Sequence, residues 1–73
     1  SIENALRYER KNKYFYLLAA NIYTSLTRFE RAAAIYEMML TEVKGTEEYL
    51  YDLAAVYQYA NKTEEAIRTY QRA

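Results

Sequence analysis

Slid against itself by 34 residues, the chain lands on its own small and aromatic positions. Ala20 falls on Ala54, Tyr23 on Tyr57, Glu30 on Glu64, Ala32 on Ala66 and Tyr36 on Tyr70. Similar pairs join them: Phe15 with Tyr49, Ile22 with Val56, Arg28 with Lys62. A further shift sets Ile2, Ala5 and Leu6 against Tyr36, Met39 and Leu40. A period of this length marks a supersecondary unit that cannot bury its apolar face alone and stacks on its neighbours. It constrains the fold more than any local propensity does.

Each unit resolves into two helical stripes. Tyr16, Ala19, Ala20 and Tyr23 follow the i, i+3, i+4, i+7 rule, and Ala32, Ala33, Tyr36, Met39 and Leu40 follow it again. In the second unit Leu50, Leu53, Ala54 and Tyr57 precede Ala66, Tyr70 and Ala73. The spacing predicts an all-α chain of about five helices, over roughly 1–11, 13–26, 28–43, 47–60 and 62–73. Short turns between them make neighbours antiparallel, stacked as a short α-solenoid. Thr27 with Glu30 reads as a capping box, and Asn61 with Glu64 as a similar one. Gly45 suits a left-handed helix end, and Thr46, Glu47 and Glu48 suit the start of the next helix. Ala20 opposite Ala32, and Ala54 opposite Ala66, would let backbones approach, with Tyr and Leu filling the wider space on either side.

Composition points the same way. The 73 residues include no Pro and one Gly, too few turn residues for a strand-rich fold. A domain this small buries only about 60% of its unfolded surface and usually needs a staple. Without Cys or His, neither a disulfide nor a structural zinc site supplies one, and no cofactor is expected. Helix packing or self-association is left. Ten basic and ten acidic residues give zero formal charge, against a broad nucleic-acid footprint. The longest apolar run, Tyr14 to Ala20, is far short of the ~20 residues that span a bilayer, and the N-terminus lacks a leader pattern. A soluble chain is expected, and its compartment stays open.

The 34-residue helix-turn-helix with these small and aromatic positions resembles the tetratricopeptide repeat family. Residues 47–73 carry the pattern through Leu50, Leu53, Ala54, Tyr57, Ala66, Tyr70 and Ala73; residues 13–46 carry it through Tyr16, Ala20, Tyr23, Phe29, Ala32 and Tyr36. Residues 1–12 look like the end of a preceding unit's second helix, giving one repeat domain over 1–73. Ala19 replaces the usual Leu and Met39 the usual closing Ala. Thr27 and Asn61 stand where the family favours Gly, and Lys44 where Pro is common. These departures imply tighter or differently angled turns, or an engineered sequence.

Catalysis has little to stand on. His and Cys are absent and Asp52 is the single Asp, which removes most acid–base and nucleophilic arrangements. Glu47/Glu48 and Glu64/Glu65 sit where helices should begin, so the helix dipole accounts for them. Arg7, Arg10, Lys11 and Lys13, interleaved with Tyr8 and Tyr14, have a polyanion-tracking pattern. A solvated helix end is the simpler account, and neither nucleic acid nor membrane insertion is expected.

The ten tyrosines are the surplus. Tyr16, Tyr23, Tyr36, Tyr57 and Tyr70 belong to the repeat core, whereas Tyr14, Tyr49, Tyr51 and Tyr59 are not all needed there. The resemblance implies a non-catalytic interaction module whose first helices line a concave face for a peptide or protein partner. That face comprises Tyr14, Leu17, Asn21, Thr24 and Ser25, then Glu48, Tyr51, Asp52, Ala55, Gln58 and Tyr59. A carboxylate clamp known in the family finds only Asn21 here, since its companions read Leu17 and Asp52. Exposed tyrosines with no binding role, or contacts to a neighbouring unit, explain the surplus equally.

A second expectation is structural. The chain stops at Ala73 before a third unit, so an uncapped face with Ile67 and Tyr70 is expected. Either a longer array covers it, or a second copy does so as a two-fold homodimer.

Overall fold

The computed structural model describes residues 12–73, so the helix expected over 1–11 lies outside the described residues. Four α-helices follow one another: α1 (Lys13–Ser25), α2 (Phe29–Glu42), α3 (Leu50–Tyr59) and α4 (Thr63–Arg72). A 3₁₀ turn, Glu47–Tyr49, leads into α3. There is no strand among the described residues. Helix α1 packs on α2, α2 on α3, and α3 on α4, which is the stacked-pair order that the period requires.

The connections differ from the sequence expectation in an informative way. Thr27 and Asn61 do not open capping boxes. Each sits at positive φ, 58° and 62°, and closes the helix before it. After α1, the Arg28 amide donates to the Tyr23 carbonyl at 2.8 Å and the Thr27 amide to that of Thr24 at 3.0 Å. After α3, Lys62 donates to Tyr57 at 2.8 Å and Asn61 to Gln58 at 3.0 Å. These are two Schellman motifs, which satisfy otherwise orphaned carbonyls and require a left-handed residue in between. Such a residue cannot also be an N-cap. That position falls to Arg28 and Lys62, neither of which makes a side-chain cap bond. The Thr27 hydroxyl instead donates to the Leu26 carbonyl, at 2.6 Å.

Asn12, not singled out from the sequence, caps α1: its Oδ1 accepts the Tyr14 amide at 2.9 Å. Gly45 is left-handed as expected, at φ 78°. Thr46 is buried and turns its hydroxyl back to the Val43 carbonyl at 2.9 Å rather than capping the 3₁₀ turn. The paired glutamates do occupy first turns, Glu47/Glu48 in the 3₁₀ turn and Glu64/Glu65 in α4.

The small residues expected at the helix crossings are inside. Ala20, Ala32, Ala54 and Ala66 are buried, as are Tyr16, Tyr36, Met39, Leu50 and Leu53. Tyr16, Ala20, Ala32, Ala33, Tyr36 and Met39 share one core cluster with Leu53 and Val56 of α3, so the two helix pairs are joined by a common apolar interior. Tyr23 and Tyr57 are half-buried against it. Tyr70, expected in the core, is 43% exposed while its counterpart Tyr36 is 7% exposed. The reason is positional: α3 covers α2, and no described helix covers the equivalent face of α4.

A polar clamp ties the second pair to the first. The Tyr57 hydroxyl donates to Glu37 Oε2 at 2.8 Å, and Arg72 donates to Glu37 Oε1 at 3.0 Å. Burial first, then the hydrogen bond and negative charge of Glu37, push the Tyr57 phenol up to about 12. Burial likewise raises Tyr36, with Asp52 and Tyr49 adding to it. A raised folded pKa favours the neutral phenol, so its contribution is whole below the unfolded value near 10 and is lost as pH climbs from there towards 12. Tyr57→Phe should therefore show a shallower loss of stability across that alkaline window. Urea midpoints for both proteins, taken below and within the window, check this; parallel pH profiles would contradict it.

Candidate functional site

Helical spacing gathers Tyr14, Leu17, Asn21, Thr24 and Ser25 on one side of α1. The same argument gathers Tyr51, Asp52, Ala55, Gln58 and Tyr59 on one side of α3, with Glu48 in the turn before it. Tyr14, Asn21, Ser25, Glu48, Tyr51, Asp52, Gln58 and Tyr59 are exposed. Leu17, Thr24 and Ala55 are half-buried, and the Thr24 hydroxyl is committed to the Ala20 carbonyl at 2.8 Å. Thr24 thus offers a partner chiefly its methyl group.

The aromatic members are not free-standing. The Tyr59 ring lies 5.5 Å from that of Phe29, and the Tyr51 ring lies 6.4 Å from that of Tyr70. The Lys13 ammonium sits over two rings, 5.4 Å from the centroid of Tyr14 and 5.9 Å from that of Tyr49. Each arrangement restricts an aromatic side chain before any partner arrives, which lowers the ordering cost of a contact. Lys13 bridges α1 to the turn before α3, a role its place in a basic run concealed. Arg7, Arg10 and Lys11, the rest of that run, lie outside the described residues.

Chemically this is a surface of phenols, two carboxylates and amides. The two phenols with shifted pKa values, Tyr36 and Tyr57, are both held neutral at pH 7, the direction opposite to an activated base. Among the described residues no group of three or more His, Cys, Asp or Glu is arranged to hold a metal ion. No described helix is long and apolar enough to cross a membrane.

Sequence reasoning missed one surface altogether. Phe15, Leu18, Ile22 and Leu26 run along α1 and are all at least half exposed, from 50% for Phe15 to 62% for Leu18. Their i, i+3, i+7, i+11 spacing was legible, but Phe15 and Ile22 were matched to Tyr49 and Val56, which face the interior.

Residues 16–48 and 50–73 match the family model of the tetratricopeptide repeat, and the chain belongs to that family. Such repeats generally mediate protein–protein interaction and are typically non-catalytic scaffolds. No curated protein and no solved structure matches the chain.

Proposed function

We propose that the chain is an interaction module whose α1 and α3 together receive a peptide or protein segment on the face described above. The observation that carries this is the exposure of Tyr14, Tyr51 and Tyr59 on those two helices. Tyrosine gives large contact area for little lost rotamer freedom and keeps a hydroxyl for specificity. Asn21 and Gln58 supply amides that pair with an extended backbone, while Glu48 and Asp52 favour a segment carrying a basic residue over a terminal carboxylate. Panning a random peptide library against the protein tests the proposal. Tyr51→Ala/Tyr59→Ala should weaken a selected peptide at least about tenfold, since truncating anchors of this kind costs more than 1 kcal/mol each. Unchanged affinity would move the binding face elsewhere.

A second reading is self-association through Ile67 and Tyr70. Their exposure on α4, in positions that are interior in the first repeat, favours it. Tyr70→Glu should then give a monomer by light scattering.

A further inference from the structure

A cation already rests on the proposed binding face, and it belongs to the chain itself. The Lys13 ammonium lies 5.4 Å from the centroid of the Tyr14 ring and 5.9 Å from that of Tyr49. Both distances are within the ~6 Å at which an aromatic face attracts a cation. Among the described residues Lys13 forms no ion pair, so two rings rather than a carboxylate hold it. Two carboxylates nevertheless flank Tyr49 in the chain. Glu48 precedes it directly, and Asp52 follows it by three residues, about one helical turn on. Both are exposed, and among the described residues neither forms an ion pair. Burial first, then Asp52 and Tyr49, raise the Tyr36 phenol, so the Asp52 charge and the Tyr49 ring share one neighbourhood. This cluster lies where α1 meets the turn before α3, inside the joint between repeats. Tyr14 is 67% exposed, and its equivalent one repeat later, Glu48, is exposed although α2 precedes it. A preceding helix therefore leaves this position open.

We propose that an arginine side chain of the bound segment takes the place of the Lys13 ammonium between Tyr14 and Tyr49, with Lys13 acting as a tethered competitor. This rests on the interaction-module reading and names the side chain that the face selects. Arginine suits the cluster better than lysine does. Its planar guanidinium stacks on a phenol ring, sheds water more readily and offers a fork of donors to a carboxylate. Lys13, tethered at the start of α1, engages the rings and leaves Glu48 and Asp52 unpaired. An incoming arginine gains the rings and a carboxylate together. A cation–π contact at an exposed site is weak, so Lys13 yields to such a residue at small cost. A segment that brings only apolar or neutral residues cannot repay the displaced contact, and Lys13 thereby discriminates against it.

Peptides selected from a random library are the probes, each also made with citrulline, the neutral isostere, in place of arginine. The selected peptides should carry arginine, and citrulline should weaken binding to the wild type about tenfold, as loss of a hydrogen-bonded charge does. Lys13→Ala should tighten the arginine peptides roughly two- to fivefold, the release of one exposed cation–π contact. Lys13→Gln, which keeps more of the stem, should act the same way, both with wild-type circular dichroism. In a Tyr14→Leu background the gain should shrink, measured at physiological salt so that distant charges are screened. An equal gain in both backgrounds would reflect removal of a like charge alone and overturns the proposal. Peptides that lack arginine or ignore citrulline, yet lose affinity in Tyr51→Ala/Tyr59→Ala, overturn it and leave the interaction-module reading standing. Peptides that respond to citrulline and Lys13 as stated but ignore Tyr51→Ala/Tyr59→Ala uphold the arginine site and overturn the wider face.

Discussion

Leu53→Ala should lower the unfolding free energy by about 3 kcal/mol, within the range for truncating a buried leucine. Leu53 is wholly buried and belongs to the cluster that spans both helix pairs, so its loss opens a void at the joint between repeats. The helices are held by cross-pair packing, and the described residues contain no His or Cys with which a metal or disulfide might compensate. At roughly 0.05–0.15 kcal/mol per residue, a chain of 73 residues has only several kcal/mol in reserve. The variant should therefore unfold at a markedly lower urea concentration than the wild type. Urea denaturation followed by far-UV circular dichroism measures the loss. Leu18→Ala, at an exposed position on α1, is the control and should stay within about 0.5 kcal/mol of wild type. A loss under about 1 kcal/mol at Leu53 would mean that the neighbouring helices close over the space.

Thr27→Gly should raise stability by about 1 kcal/mol, equivalent to about 4–8 °C in Tm for a domain of this size. The left-handed region is hard on a β-branched side chain, and Thr27 is held there at φ 58° by the Schellman hydrogen bonds. Glycine removes that strain, offset in part by the greater freedom it has when unfolded. Asn61, at φ 62° in the matching motif, should gain much less from the same change, because asparagine tolerates this conformation. Calorimetric Tm values for the two single variants make the comparison. A loss at position 27 would show that the Thr27 hydroxyl bond to Leu26 outweighs the backbone strain, and equal gains that threonine is no more strained there than asparagine. Gly45 gives the converse case. A Cβ there meets nothing within 4 Å, so any loss in Gly45→Ala comes from its φ of 78° alone.

Position in the 34-residue period foretold the four described helices to within a residue, because burial every third and fourth residue is a property of the chain itself. The exception is the start of α3, at Leu50 after a 3₁₀ turn rather than at 47. The turns were misjudged for a local reason. Thr27-x-x-Glu30 has the composition of a helix start, yet the dihedral at Thr27 is dictated by the end of α1, and a three-residue connection leaves no room for both roles. Thr27 and Asn61 replacing the glycine favoured in the family was the signal that the slot is left-handed. Tyr70 shares its residue type and spacing with Tyr36, so the sequence alone places both in the core. What separates them is whether another helix lies on top.

The sequence by itself determined the class of fold, the four described helices and the small residues at their crossings, since each follows from periodicity and side-chain size. Only the tertiary structure decided which equivalent residues are covered. Burial is a relation between elements: α3 shields Ala33 and Tyr36, while Ile67 and Tyr70, one repeat later, face water.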